Sequence, residues 1–328
     1  MKKYIIKRIF ISIGILFCVT FIIYTLMRCL PGSFVENMAM KLSQGAGAKS
    51  YDEWLAQLNA TYGMDKGIIP GFFVWLGGAI QGDFGDSWKY TVPVLTKFKE
   101  VIGVSVVMGG ISFILQLIIA VPLGIVAATK QYSRLDYGIT AGALIGISLP
   151  TFFFATILKL VFSVHLGWFD LYGLVGRDYA QLDRMGQLMD MANHLVLPIA
   201  TLVIVSVGSL MRYTRTNMLE VLNSDYIRTA RAKGLSERKV IYHHAFRNTL
   251  IPLVTVVGGS LPGLFSGALI TETLFSIPGI GYTSYQAIVG GDIPFAMFYL
   301  TFIAILTLAS NLISDILYAV VDPRVRLA

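Results

Sequence analysis

Charge is the first thing that this sequence has little of. Only 14% of its 328 residues are Asp, Glu, Lys or Arg, whereas 55% are hydrophobic and the mean hydropathy is +0.69. Soluble proteins carry about 25% charged residues, so the composition favours a membrane protein. The net charge of +7 would indicate nucleic-acid binding only on a soluble fold with a basic face. Most of the charge lies instead in short gaps between apolar runs, and we expect no nucleic-acid partner.

Motifs for catalysis and nucleotide binding are missing too. The sequence has no Gly-Lys dipeptide, and hence no phosphate-binding loop of the form G-x-x-x-x-G-K-S/T. It also lacks an H-E-x-x-H zinc motif and a G-x-S-x-G nucleophile elbow, and its four histidines show no metal-ligand spacing. We therefore expect a protein that is not itself an enzyme, with no catalytic residue, no metal site and no cofactor.

Cysteine is equally scarce, with Cys18 and Cys29 the two in the chain. Both fall in one apolar run, where a helix would hold them about 16 Å apart at 1.5 Å per residue. That distance is too long for a disulfide, so the pair indicates neither a crosslink nor a redox compartment.

Long apolar runs are what the sequence has in abundance. A helix needs about 20 apolar residues to cross the hydrocarbon core. Six uncharged runs qualify: Ile9–Met27, Val101–Thr129, Tyr137–Leu158, Met191–Met211, Asn248–Thr271 and Ile293–Ser314. The first is too long for the apolar part of a signal peptide and has no cleavage site after it, so we expect a retained helix. The predicted fold class is an all-α membrane protein with six transmembrane helices.

Lys and Arg predict the orientation of these helices, because short cytoplasmic loops carry an excess of both. With the N-terminus inside, the inner segments hold 16 of the 26 such residues: Lys2, Lys3, Lys7, Arg8, Lys130, Arg134, Arg212, Arg215, Arg228, Arg231, Lys233, Arg238, Lys239, Arg247, Arg324 and Arg326. The short outer loops hold only Arg177 and Arg184. Both termini are therefore predicted to be cytoplasmic.

Three parts are expected along the chain: an N-terminal tail and first helix at 1–30, an extracytoplasmic segment at 31–100, and a five-helix core at 101–328 with a cytoplasmic loop at 212–247. The outer segment contains Trp54, Trp75 and Trp88. Two interpretations of it stay open. It could be a cap whose tryptophans lie at the membrane interface, or a surface that receives a partner or substrate.

Glycines recur at four-residue spacing in the third and fifth helices: Gly138, Gly142 and Gly146, then Gly259, Gly263 and Gly267. This spacing lets helix backbones approach closely. Packing within the chain, a subunit interface and a flexible pore wall all remain open as explanations. Lys159, near the outer end of the third helix, is expected to extend to the membrane interface.

The densest positive charge lies between the fourth and fifth apolar runs, from Tyr226 onward. Tyr226–Lys233 is compatible with a helix, Gly234 ends it, and Ser236 can cap a second helix that runs through Phe246. Anchoring by basic residues to anionic lipid would explain the charge. It would not explain a break between two helices with small residues around it.

This loop resembles the EAA-type loop of binding-protein-dependent ABC transporter permeases, the element that docks on a separate ATPase. "RTARAKG", which ends at Gly234, matches the E-A-A-x-x-x-G core, with Arg228 in place of Glu and Thr229 in place of Ala. "HAFRN" carries Phe246 and Arg247 where relatives often have Leu-Pro. These departures bear on which ATPase surface would match.

Further stretches, in order along nearly the whole chain, resemble the oligopeptide/dipeptide permease family: "LPGSF", "YGMDK", "GDFGDS", "TETLFSIPGIG", "GDIP" and "DPRVR". The resemblance implies an ABC importer permease (MetI-like) fold in a bacterial or archaeal cytoplasmic membrane. It also implies a heterodimer with a second homologous permease, two cytoplasmic ATPase subunits and an extracytoplasmic substrate-binding protein. Peptides are the expected cargo, with nickel, glutathione and sugars as alternatives.

Two sets of site residues follow. The residues expected to couple to the ATPase are Tyr226, Arg228, Thr229, Ala230, Arg231, Lys233, Gly234 and Glu237. Close approach is expected at Ala230 and Ala232, and charge-assisted hydrogen bonds at the basic side chains. The residues expected at the pathway or its outer gate are Gly259, Gly263, Gly267, Glu272, Phe275, Pro278 and Gly279. A simple turn between two helices is the alternative for the last four.

Two other classes of protein fit the sequence less well. Gly146-Ile147-Ser148 could mimic the nucleophile of an intramembrane serine protease, which needs a base within hydrogen-bond reach. The fifth and sixth helices contain no histidine. A channel would need a carbonyl filter or a ring of charge, and the sequence shows neither.

Overall fold

The computed structural model describes residues 2–29, 34–44 and 49–321, and within them it contains helices and no strand. The "DPRVR" stretch and most of "LPGSF" lie outside the described residues. The α-helices are α1 Lys2–Cys29, α2 Phe34–Ser43, α3 Tyr51–Thr61, α4 Ile68–Ile80, α5 Val94–Thr129, α6 Arg134–Ser148, α7 Thr151–Leu158, α8 Arg184–Leu222, α9 Asp225–Ala232, α10 Glu237–Lys239, α11 Phe246–Gly259, α12 Leu261–Phe265, α13 Leu269–Leu274, α14 Ile280–Val289 and α15 Ile293–Val321. Two π-helical segments, Lys159–His165 and Val240–Ala245, continue α7 and α10.

Five helical spans are long and apolar enough to cross a membrane, and a sixth is obtained if one bent pair of helices counts as a single span. All six predicted runs fall on helices: on α1, α5, α6 with α7, α8, α11 to α13, and α15. The all-α class is therefore confirmed, while the count of six and the orientation stay predictions.

The bent pair is the third predicted run, where α6 and α7 meet at 103°. The break falls at Leu149, whose φ of −95° and ψ of 140° are extended. Pro150 follows it, and a proline disfavours the helical conformation of the residue before it. The run that was predicted as one straight helix is therefore two.

The chain divides into two compact units. The first comprises 1–103 and 280–309. One of its cores packs Phe72 of α4 against Tyr24 of α1 and Met297 of α15. Trp54, Trp75 and Trp88 are half-buried against this core or a neighbouring one. The tryptophans thus pack partly within the unit, and both interpretations of the segment stay predictions.

The second unit comprises 104–279 and 310–328. Its long helix α8 packs on α6 at glycines, where backbones come close: a Cβ at Gly208 would lie 2.5 Å from the Ala143 carbonyl oxygen, and one at Gly146 would lie 2.8 Å from that of Ile204. This is the close approach that small residues permit between membrane helices. It makes α8 the central support of the unit.

Candidate functional site

The loop at 212–247 contains the helix that its sequence predicts. α9 begins after Ser224 and ends at Ala232, and the chain turns at Gly234, whose φ is +78°. The amide of Gly234 donates to the Arg231 carbonyl at 2.9 Å, and that of Leu235 donates to the Ala230 carbonyl at 3.4 Å. These two bonds form the Schellman cap, in which glycine takes the left-handed position without steric cost.

One face of α9 packs on the rest of the chain. Ile227 is fully buried and Ala230 is 7% exposed. Both belong to a buried cluster that also contains Ile125 and Ala128 of α5, Met218 and Leu222 of α8, and Val240 and Ala245 of the π-helical segment before α11. α9 therefore cannot shift without moving α5, α8 and the segment before α11, since packed interiors do not deform freely.

The opposite face of α9 is exposed. Seven of the eight residues expected to couple to a partner lie on the surface: Tyr226, Arg228, Thr229, Arg231, Lys233, Gly234 and Glu237. Ala230 is the exception, and its small side chain serves packing inside the chain. Ala232 is exposed and remains available for close approach from outside.

Part of the charge on this surface is matched locally. Arg231 Nε donates to Glu237 Oε1 at 2.8 Å, across the turn at Gly234. Arg228 Nη1 lies 3.6 Å from Asp225 Oδ1. Exposed pairs of this kind contribute little to stability, so both arginines can exchange these partners for groups on another protein at low cost.

An ion pair with a buried carboxylate joins the two helices α6 and α8. Asp136, near the start of α6, is 3% exposed and accepts two hydrogen bonds from Arg215 of α8, at 2.8 and 2.9 Å. The Tyr132 amide donates to the same carboxylate at 3.0 Å. This bidentate geometry fixes α6 to α8 just before α9 begins. Sequence reasoning counted Arg215 only as an inner positive charge.

A cavity of 280 Å³ lies among α5, α8 and the α11–α13 segment. Its lining includes Gly263 and Gly267, two of the predicted pathway residues, and five polar side chains: Ser105, Ser112, Gln116, Ser206 and Ser260. Gly259 is not part of this lining, but a Cβ at Gly259 or Gly263 would meet no described atom within 4 Å. These two glycines therefore do not serve packing within the described chain.

The predicted gate residues form a closed turn beside this cavity. Glu272 is fully buried, and its Oε1 accepts hydrogen bonds from Ser105 Oγ at 2.8 Å and from the Ala268 amide at 3.0 Å. A Cβ at Gly279 would lie 2.5 Å from Oε1 and 2.6 Å from Oε2, so only glycine fits against this carboxyl group. Phe275 is buried, whereas Pro278 is exposed.

Lys159 supports this turn from the outside. Its Nζ donates to the Leu274 carbonyl at 2.6 Å and lies 4.4 Å from the centre of the Tyr172 ring. The ammonium therefore binds the carbonyl end of α13, and the expectation that Lys159 extends to the membrane interface stays a prediction. A positive charge is favourable at that end of a helix.

The first unit has its own buried carboxylate, Asp292. It accepts hydrogen bonds from the hydroxyl of Ser87 and, at 3.2 Å each, from the amides of Trp88, Lys89 and Phe295. Asp292 belongs to "GDIP" and Ser87 to "GDFGDS", so one side chain joins two of the stretches that carry the family resemblance.

The hydrogen bonds to Asp292 also hold the residues that follow Ser87 in place. Tyr90 donates its hydroxyl to the Thr283 carbonyl at 3.1 Å. The pKa of the Tyr90 phenol is raised to about 12, chiefly because burial disfavours the phenolate and also because Asp292 and Tyr282 lie nearby. Burial lowers the pKa of the Lys89 ammonium, and the carboxylate of Asp292 opposes that shift.

The sequence matches known transport proteins. The family described as binding-protein-dependent transport system inner membrane component matches over residues 120–327. The chain is 36% identical to the oligopeptide transport system permease protein AppB of Bacillus subtilis, over 99% of each chain. It is 32% identical to OppB of Haemophilus influenzae over 99% of this chain and 100% of that one. It is 33% identical to the di/tripeptide permease DppB of Pseudomonas aeruginosa over 99% of each.

The fold matches a solved transporter. A chain of the MetNI methionine ABC transporter, in an inward-facing conformation, aligns with a TM-score of 0.55 and 16% identity over 70% of this chain and 97% of that one. At this identity the likeness shows the fold alone, and it confirms the MetI-like architecture that the sequence predicts.

Proposed function

The chain belongs to the family of binding-protein-dependent transport system inner membrane components, and on that premise we propose that it forms the membrane pathway of an ABC importer for peptides. As a member of this family it is a multi-pass transport permease of the inner membrane. The peptide cargo is inferred from relatives at 32–36% identity that are named for oligopeptide or di/tripeptide transport. Nickel, glutathione or a sugar is the alternative cargo.

The observation that carries the proposal is the two-sided structure of α9. Its outer face presents Arg228, Arg231 and Lys233, and its inner face is packed on the ends of α5, α8 and α11. A permease without a nucleotide-binding motif must receive its energy through contact with another protein. We therefore place a cytoplasmic ATPase on the outer face of α9, with a second ATPase on a homologous permease that completes the pathway.

The turn around Glu272 supports a role at the outer end of the pathway. It borders the polar cavity through Ser105 and Ala268, which both bond Glu272 and line that cavity. Irregular backbone at membrane depth is tolerated only against protein or water. In the proposed orientation, with both termini in the cytoplasm, a substrate-binding protein would deliver cargo on this side.

Uptake by the assembled transporter tests the function. The chain would be reconstituted in proteoliposomes with its partner permease, the ATPases and the binding protein. We expect ATP-driven uptake of a labelled tripeptide and no uptake of nickel, glutathione or a sugar. Uptake of one of those compounds, with none of peptide, would contradict the proposed cargo while leaving the permease role intact.

Orientation needs its own test. An impermeant thiol reagent, applied to intact cells, should label a cysteine introduced at Lys49 and miss one introduced at Ser236. Labelling at Ser236 and none at Lys49 would reverse the proposed orientation.

A further inference from the structure

Two cavities of the second unit share one face of α8. The 280 Å³ cavity takes Leu202 and Ser206 from this helix. A second cavity, of 540 Å³ and open to the surface, takes the exposed residues Ser209, Tyr213 and Thr216 from it. Steps of three and four residues return to the same side of an α-helix. These five residues therefore form one continuous stripe, called the α8 stripe below, that runs from one cavity to the other.

The polar side chains in both cavities stand among apolar ones and are almost without charge. Beside the α8 stripe, the first cavity is lined by the hydroxyl and amide groups of Ser105, Ser112, Gln116 and Ser260, and contains no Asp, Glu, Lys or Arg. The second adds Asn217 and a single charged residue, Arg212. Polar side chains that line a cavity inside membrane-spanning helices mark a route for a polar substrate.

Local hydrogen bonds hold these polar groups in place. Ser112 donates to the Met108 carbonyl at 2.7 Å, Ser206 to that of Val203 at 3.3 Å, and Gln116 Nε2 to that of Ser206 at 3.0 Å. A hydroxyl that donates one bond still has lone pairs that accept, and a carboxamide keeps its oxygen and a second donor. The cavity therefore offers mainly acceptors, at fixed positions, to N–H donors.

We infer that the α8 stripe, with Gln116 facing it, is a transit site that binds the amide groups of a peptide main chain rather than its side chains. This inference rests on the proposed peptide transport and specifies which residues contact the cargo. The main-chain amide is the group that every peptide repeats, whatever its sequence. In the first cavity, uncharged hydrogen-bond acceptors bind that group and neither attract nor repel a charged side chain.

The test compares two peptides in the assembled, reconstituted transporter: trialanine, and trialanine N-methylated at its central amide, which lacks one N–H donor. We expect Gln116→Leu to slow ATP-driven uptake of trialanine about tenfold, the equivalent of one or two hydrogen bonds. Ser206→Ala, which removes only a hydroxyl, should slow it about threefold. Thr156→Val is the matched control, because its exposed hydroxyl on α7 bonds the Phe152 carbonyl and lines neither cavity.

The decisive quantity is how the two changes combine. If Gln116 binds the main chain, N-methylation of the peptide should lower the uptake rate by a smaller factor in the Gln116→Leu variant than in the unaltered transporter. The same binding protein delivers cargo in both cases, so its own preference cancels. Losses that simply multiply, or unchanged uptake in Gln116→Leu and Ser206→Ala, would overturn the inference alone. Failure of the unaltered transporter to take up either peptide would overturn the proposed function, and the inference with it.

Discussion

The turn after α9 and the turn after α13 have the same backbone conformation but serve different purposes. In each, a residue with positive φ follows the helix, Gly234 at +78° and Ser276 at +53°. The same pair of bonds closes both turns: Gly234 to Arg231 with Leu235 to Ala230, and Ser276 to Thr273 with Ile277 to Glu272.

The difference lies in the side chains. Around Gly234 the charged groups face outward, and the alanine that opens the cap packs on the permease core. Around Ser276 the residue in the same position is Glu272, which is fully buried and bonded within the unit. The first turn is thus built to meet a partner and the second to hold its own parts together. This contrast predicts different outcomes for equivalent substitutions.

The largest effect is expected at Glu272. Glu272→Ala should lower the free energy of unfolding by about 2–4 kcal/mol, because it leaves a cavity and removes the acceptor for Ser105 and the Ala268 amide. Thermal unfolding of the purified permease in detergent would measure this. Glu272→Gln is the control, since it keeps the shape and an accepting oxygen and should lose far less. Equal loss in both variants would mean that the negative charge, rather than the packing, holds the turn.

A smaller loss of stability is expected at Gly234. Gly234→Val forces a β-branched residue into the left-handed region, which costs about 1–2 kcal/mol. Unlike the change at Glu272, this one should also reduce ATPase binding, because it moves the exposed end of α9. Co-purification of the ATPase would show this. Retention of the ATPase at full occupancy would indicate that the Gly234 turn does not shape the docking surface.

The smallest effect is a gain. Ser276→Gly removes the strain of a side chain at a position with positive φ. It should raise the free energy of unfolding by about 0.5–1 kcal/mol. The reason is that glycine adopts this conformation without a clash at Cβ. Thermal unfolding should therefore shift to a higher temperature, with ATPase binding unchanged. A downward shift would show that the Ser276 side chain makes a favourable contact that outweighs the backbone cost.

Local features could be predicted from the sequence. α9 and the turn at Gly234 that follows it could be predicted because capping residues and glycine act on backbone groups only a few residues away. The bend at Leu149-Pro150 obeys an equally local rule and could have been predicted. A continuous apolar run of this length predicts one straight helix instead, because hydropathy alone does not register the local effect of a proline.

Long-range contacts could not be predicted in the same way. Glu272 and Ser105 are 167 residues apart, and Asp292 and Ser87 are 205 apart. Four-residue glycine spacing identified Gly146, which does pack on α8, but not Gly208, which has no glycine partner at that spacing. Spacing within one helix does not say which neighbour it meets, so these contacts emerge only from the tertiary structure.

The two faces of α9 carry the central claim, and paired substitutions on this helix test it most directly. Ala232→Trp adds bulk on the exposed face, whereas Ala230→Trp adds the same bulk on the buried face. The measurement is the amount of ATPase that co-purifies with each permease, together with its unfolding temperature. We predict that Ala232→Trp loses the ATPase while its unfolding temperature is unchanged, and that Ala230→Trp lowers the unfolding temperature itself. An Ala232→Trp permease that retains its ATPase and transports peptide at the normal rate would contradict the account.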